Sequence, residues 1–514
     1  MIFKKFIYRV LAITAVAFAA VGCRQSETAE TLIYPDYGKD LVLPCNIAPL
    51  NFYIGDNGTR RHHVRIDVCD SMGAAVDFLT MKTRGKVQFS LRTWRKLTSQ
   101  AVANHGAFKI HIDTFAPFSW KISPDSIDPY VIYRSGPFDD NPGGRLQVYQ
   151  RSLQDFEHKL LIDNALTDNN CMNCHAVGAG NAERMIVHIR GAHAGTLVIQ
   201  ADTAVKIAVP ATYDFRLSYP AHNPMHPYIA FATTKIAPFN YVNPHRTQDL
   251  IADYGGRIVL YDILRDRIFT VPALSDTAFQ YTFPAWSADG RTLYFCRTAT
   301  LPLDSLTPEN EKEALIAFRY DVYKIDFNPD TDTFGEPELV SAVSRSHVSA
   351  AMPAVHPEGR YILVSAMMMG SHASQNQGDI YLIDTEKDTL RALDELNSPD
   401  GEAAAGWSVD GKWAVYRSKM QNGSNSALYI AHFESDSAEG QPAAARFSTP
   451  FVIPERNPYY YKRNTRMQIF PVFSRTPSPL NPQKWRQWSL QTAHIPDLSA
   501  FTPQSTPTSQ DSGH

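Results

Sequence analysis

Four times between Tyr219 and Tyr416 the chain returns to one pattern: an apolar or Pro start, a turn, which in three copies carries an acidic residue and glycine, then an alternating strand. The two most regular copies are Phe283-Pro284-Ala285-Trp286-Ser287-Ala288-Asp289-Gly290 and Ala405-Gly406-Trp407-Ser408-Val409-Asp410-Gly411-Lys412. Met352-Pro353-Ala354-Val355-His356-Pro357-Glu358-Gly359 and Tyr219-Pro220-Ala221-His222-Asn223-Pro224-Met225-His226 are looser versions. Phe470-Pro471-Val472-Phe473-Ser474 is a truncated fifth. Asp-Gly supplies the positive φ of a tight hairpin, and alternation beyond it gives a half-buried strand. Second strands ending in Asp lie between the copies: Ile258–Asp262, Val322–Asp326 and Ile380–Asp384. A repeat of this length reads as a four-stranded blade, and blades close in a ring because closure protects sheet edges.

Composition agrees with an all-β fold. The chain has 514 residues, of which 34 are Pro, 24 Tyr and 27 Phe. Aromatics suit pleated surfaces and proline interrupts helices. Lys and Arg number 49 against 52 Asp and Glu, a net charge of -3, so no basic excess exists to neutralise nucleic-acid phosphates.

The N-terminus reads as an export signal. Lys4, Lys5 and Arg9 precede an apolar run from Val10 to Val21, too short for a span of ~20 residues but right for a secretory signal peptide over residues 1–22. Ala20-Val21-Gly22-Cys23 resembles a bacterial lipobox, which marks Cys23 for lipidation and residues 23–40 as a tether to a membrane surface. The alternative is ordinary cleavage that leaves Cys23 a bystander. Of the other cysteines, Cys45 and Cys69 form either a disulfide or two buried thiols, and Cys296 falls in a strand-like run as a small buried hydrophobe.

The sharpest chemical motif is Cys171-Met172-Asn173-Cys174-His175. Cys-x-x-Cys-His is the signature of covalent c-type haem attachment: two thiols add to the porphyrin vinyl groups and the adjacent imidazole takes the iron. The expected cofactor is therefore one haem c, held by Cys171 and Cys174 with His175 as proximal ligand. Met185 and His188 are candidate distal ligands, Met185 favoured, and His193 is also near in sequence. On a strand Met185 and His188 fall on opposite faces, so only one can reach an iron. A Cys171–Cys174 disulfide is the competing reading. Gly178, Gly180 and Asn181 mark a loop, and residues 166–194 read as a haem-bearing insertion.

Residues 41–165 hold short alternating runs, among them Val64–Val68, Phe108–Ile112 and Tyr130–Arg134, which predict a small β-sandwich. Trp94 and Trp120 within it are core aromatics or sugar-stacking platforms. No Gly-x-Ser-x-Gly elbow, His-Glu-x-x-His pair or phosphate loop is present, so an enzyme is the weakest reading. His222, His226, Asp289 and His356 sit at corresponding blade turns and read as satisfied turn residues. Residues 476–514 form a tail rich in Pro, Ser, Thr and Gln, with its last dozen residues expected to be disordered.

The Pro-x-Trp-Ser-x-Asp-Gly-Lys turn resembles the repeat of TolB-family β-propellers, over residues 195–475 and with about six blades. Together with the lipobox, Pro44-Cys45-Asn46-Ile47-Ala48-Pro49-Leu50-Asn51-Phe52 and Cys171–His175, the chain resembles Gram-negative envelope lipoproteins labelled TolB-like or "cytochrome c biosynthesis" proteins. The resemblance implies an outer-membrane lipoprotein facing the periplasm or cell surface. Its partners would be envelope proteins or a redox partner, and no nucleic acid. Two functions follow as expectations: a haem c carrier for electron transfer or redox sensing, and a haem-free scaffold binding envelope proteins or cell-wall polymer.

Overall fold

The computed structural model describes residues 33–55, 60–137, 144–213, 216–243, 246–300, 319–367, 378–421, 423, 425–435 and 445–501. Only the backbone is described for Asn173, Cys174, Ala211 and residues 234–243 and 246–254. Cys23 with its signal peptide, the insertion from Asp304 to Phe318, and the final dozen residues lie outside the described residues.

Six antiparallel sheets follow one another around a ring. Their innermost strands are Met467–Ser474, Met172–Gly178, Arg216–His222, Phe279–Trp286, Ser349–Val355 and Glu402–Trp407. Each pairs with the next strand of its own sheet and lies against the innermost strand of the neighbouring sheet. This is a six-bladed β-propeller. The first blade is built from both ends of the propeller chain: Met467–Ser474 pairs with Tyr130–Gly136, which continues to Gln147–Ser152 and His158–Asp163. Ring closure thus depends on pairing between segments far apart in sequence.

The turn chemistry read from sequence is present in detail. Ser287 Oγ donates to Asp289 at 2.5 Å while accepting from Thr292 N at 3.0 Å, and Asp289 accepts from Arg291 N at 3.0 Å. Ser408 and Asp410 repeat the arrangement. Gly411 has φ +73°, and a Cβ there would stand 2.2 Å from His356 Nε2, so both conformation and space demand glycine. The motif tryptophans lock neighbours together: Trp286 Nε1 donates to Ala221 O at 3.2 Å and Trp407 Nε1 to Ala354 O at 2.9 Å.

The N-terminal region departs from the expected sandwich. Its main sheet has five strands, with Leu41–Pro44 parallel to Phe118–Ser123, followed by Ala107–Ile112, His62–Cys69 and Ala75–Thr83. Its layer partner is a helix, Leu91–Ala103, with Ser90 Oγ accepting from Thr93 N at 3.1 Å as N-cap. Trp94, Leu97 and Ala101 bury the face toward the sheet, at the 3–4 residue spacing a helix needs. The strands Tyr130–Gly136, Gln147–Ser152 and His158–Asp163, assigned to the sandwich by sequence, belong to the first blade instead. Trp94 and Trp120 are fully buried, donating to Ile47 O and Tyr37 O at 2.9 Å each, so neither is a sugar platform. Cys45 and Cys69 are separate thiols rather than a disulfide, while Cys296 is buried as expected.

This region docks on the propeller through a shared core and specific polar links. Tyr37 Oη donates to Val452 O at 3.0 Å, His432 pairs with Asp125 at 2.9 Å, and Asp128 accepts from Val409 N at 2.7 Å. The segment after the ring closes is folded rather than a loose tail: the helix Pro482–Ser489 buries Trp485 and Trp488 against the first two blades. Beyond it, His494 bridges to Ile207 and Asp497 to Arg267.

Candidate ligand-binding channel

Every innermost strand carries a β-bulge. In five blades two residues oppose one on the neighbouring strand: Tyr219-Pro220, Phe283-Pro284, Met352-Pro353, Ala404-Ala405 and Phe470-Pro471. The first member of each pair has φ between +47° and +54°. Proline is tolerated here because a bulge needs no ladder donor at that point. Left-handed backbone in bulky residues is costly and is retained where surrounding structure fixes it. The resulting apolar collar surrounds a central cavity of about 350 Å³, with Tyr219 and Phe283 rings 4.3 Å apart.

The second blade is the exception. Its bulge falls between Met172 and Cys174, within the Cys-x-x-Cys-His motif itself. The motif is therefore no insertion: it opens an innermost strand, and His175, Ala176 and Val177 line the cavity. Cys171 is half-buried at the strand's start, where its carbonyl accepts from Arg190 N at 2.9 Å.

His175 is the motif residue that the cavity exposes. Its Nε2 is buried without a hydrogen-bond partner, and a hydrogen bond to the Phe470 backbone holds the ring. Burial first, and then the nearby Arg134 guanidinium, pushes its pKa down to about 4, so the imidazole is neutral at physiological pH. The candidate distal ligands are elsewhere. Met185 and His188 sit on Asn181–Ile189, one strand outward. Met185 is fully buried between blades and its Sδ accepts from Ser478 Oγ at 3.3 Å. His188 Nδ1 bonds Thr196 Oγ1 at 2.9 Å, and neither side chain lines the cavity. His193 pairs at 2.7 Å with Asp168 instead.

Two further groups line the cavity: His222, read from sequence as a satisfied turn residue, and Arg190, which the sequence did not single out. His222 is only 6 % exposed, and both its ring nitrogens lack hydrogen-bond partners. Burial, then Arg184, brings its pKa down to about 3. It is thus no satisfied turn residue, unlike His356, whose Nε2 meets Gly411 O at 3.1 Å and whose Nδ1 accepts from Glu358 N at 3.2 Å. Arg190 also lines the cavity, its Nε buried and unpartnered. No acidic side chain is among the described residues that line it. Among the described residues, no group of three or more His, Cys, Asp or Glu could hold a metal ion by itself, and no helix is long and apolar enough to cross a membrane.

Of the haem-holding residues read from the sequence, His175 alone is among the described side chains that line the cavity; Cys171 packs against the core between the first two blades. A neutral imidazole nitrogen without a partner, in an apolar cavity wall, has the chemistry of an axial ligand. Met185 and His188 do not meet it.

No family model and no curated protein matches the chain. Among solved structures it is similar to TolB from Acinetobacter baumannii, at 12% identity and TM-score 0.42, covering 77% of this chain and 75% of that one. It is also similar to a luciferin-regenerating enzyme, at 11% identity and TM-score 0.34, covering 63% and 92%. A putative TolB from Agrobacterium tumefaciens follows at 9% identity and TM-score 0.31, covering 67% and 98%. Likeness at this level assigns no activity; the propeller stands on its own strand pairing.

Proposed function

We propose that this protein is a binding scaffold of the bacterial cell envelope: a TolB-like propeller, held on the outer membrane through lipid on Cys23, that engages other envelope proteins or cell-wall polymer. The observation that carries the reading is the closed ring, whose six innermost strands together enclose one apolar cavity. Rigid rings of this kind present fixed loops at either end and a concave centre, which is the geometry of a docking module. Fold alone does not name a partner. Palmitate labelling that is lost in Cys23→Ser checks the anchor. Photocrosslinkers at Met225 and Leu264, both exposed on hairpin turns, together with co-sedimentation on purified sacculi, check the docking role. A chain that takes no label, crosslinks to nothing and stays in the supernatant overturns it.

A second reading is favoured by one specific observation, the unpartnered Nε2 of His175 directly after Cys174. Here the propeller carries one covalent haem c for electron transfer or redox sensing. Cys171 and Cys174 would supply the thioethers and His175 the proximal nitrogen, while burial keeps that nitrogen unprotonated. When bound, the group supplies one-electron chemistry, and the apolar collar limits water at its edge. The expected result is a pyridine haemochrome that survives acid-acetone extraction of protein made with a haem-maturation system and disappears in Cys171→Ala and Cys174→Ala. A colourless matured protein excludes this reading and leaves the scaffold standing.

A further inference from the structure

The polar groups of the channel are of one kind. Arg190 and His175 come from the second blade and His222 from the third, and the rest of the lining is apolar or aromatic apart from the Tyr219 hydroxyl. Register sets the two ends apart. Arg190 follows Ile189, which pairs with Met172 at the start of its innermost strand, whereas His222 pairs with Ile229 beside a hairpin turn. The charged groups that bear on the channel histidines are arginines throughout: Arg134 for His175 and Arg184 for His222. A buried donor without an acceptor is costly, and here one arginine and two imidazoles face the same cavity with unmet hydrogen-bonding capacity.

We propose that the channel binds an apolar, ring-bearing acid, with its anionic group at Arg190 and a second polar contact at His222. Apolar rings fit the collar of Tyr219, Phe283, Met352 and Phe470, where packing against aromatics replaces water. A carboxylate or sulfonate gains a charge-assisted hydrogen bond in a low-dielectric site with no competing acid among its described lining residues. The inference rests on the reading of the channel as a binding site and is independent of Cys23 or of any docking partner. Haem, an apolar macrocycle with two carboxylates, and a free ring-bearing acid share this chemistry, and the experiment separates them.

The full chain carrying Cys171→Ala and Cys174→Ala cannot hold covalent haem and is titrated with 8-anilino-1-naphthalenesulfonate and with its neutral counterpart N-phenyl-1-naphthylamine. The expected result is one sulfonate site. In that background Arg190→Gln weakens the sulfonate at least tenfold while changing the neutral probe by less than twofold. His222→Leu weakens the sulfonate several-fold, and Ala354→Trp, which fills the cavity, removes both probes. Matured protein with intact cysteines that rejects the sulfonate and shows a haemochrome identifies haem as the occupant; acceptance without a haemochrome identifies a free acid. If Ala354→Trp removes both probes but Arg190→Gln changes neither, the channel still binds and the anion inference falls. If Ala354→Trp changes nothing, both fall.

Discussion

The second blade and the other five solve one steric problem with different residues. At the channel bulge five blades place Tyr219-Pro220, Phe283-Pro284, Met352-Pro353, Ala404-Ala405 and Phe470-Pro471, and their side chains mostly join core clusters. The second blade places Asn173 and Cys174 there, then His175, whose free nitrogen has nothing to satisfy it. Five bulges place side chains in core clusters; the second blade sets an unpartnered imidazole on the cavity wall. Consistency among levels is what makes a sequence fold, and the one place that breaks it is where function is to be sought.

That contrast can be tested by substitution. Phe283→Ala, at a bulge that is 4 % exposed, is expected to cost about 3–5 kcal/mol in urea unfolding, as buried aromatics do. A cost below about 1 kcal/mol would mean that the collar is not part of the core. The next effect is on pH. The folded pKa of His175 is about 4 and those of His188 and His222 are about 3, against 6.5 for an ordinary histidine. The unfolded chain therefore takes up these protons first. Stability is full above pH 6.5 and falls as pH drops toward 4 and then 3, by about 1–2 kcal/mol per imidazole at pH 5. Thermal melts between pH 7 and 5 read this directly, and His222→Leu should flatten the slope. The smallest effect is expected for His175→Ala: within about 1 kcal/mol of wild type by melts at pH 7, where the imidazole is neutral in both states and its proton uptake contributes nothing. A large loss would make His175 a packing residue and remove the contrast.

Much of the ring was legible because its turns are local. Ser287, Asp289 and Gly290 satisfy one another within a few residues, so the motif and the structure coincide. The first blade was illegible for the opposite reason: Met467–Ser474 meets Tyr130–Gly136 across more than half the chain, and no local pattern records such a pairing. The second blade hid because Gly178-Ala179-Gly180-Asn181 replaces the Asp-Gly turn, which made an innermost strand look like a loop. The helix Leu91–Ala103 did leave a signal, the Ser90 cap and the spacing of Trp94, Leu97 and Ala101, which the surrounding strand-like runs masked. His175 was legible as chemistry. His222 was not, since whether a histidine is satisfied depends on neighbours from other blades.

The two-ended first blade also sets an order of events in synthesis. The wall bearing Cys171 to His175 is made more than 290 residues before Met467–Ser474 arrives to complete the circle. Without that strand the first blade is incomplete and the ring is not closed. A bulky group joined to the inner rim before that closure is afterwards built in like a ship assembled inside its bottle.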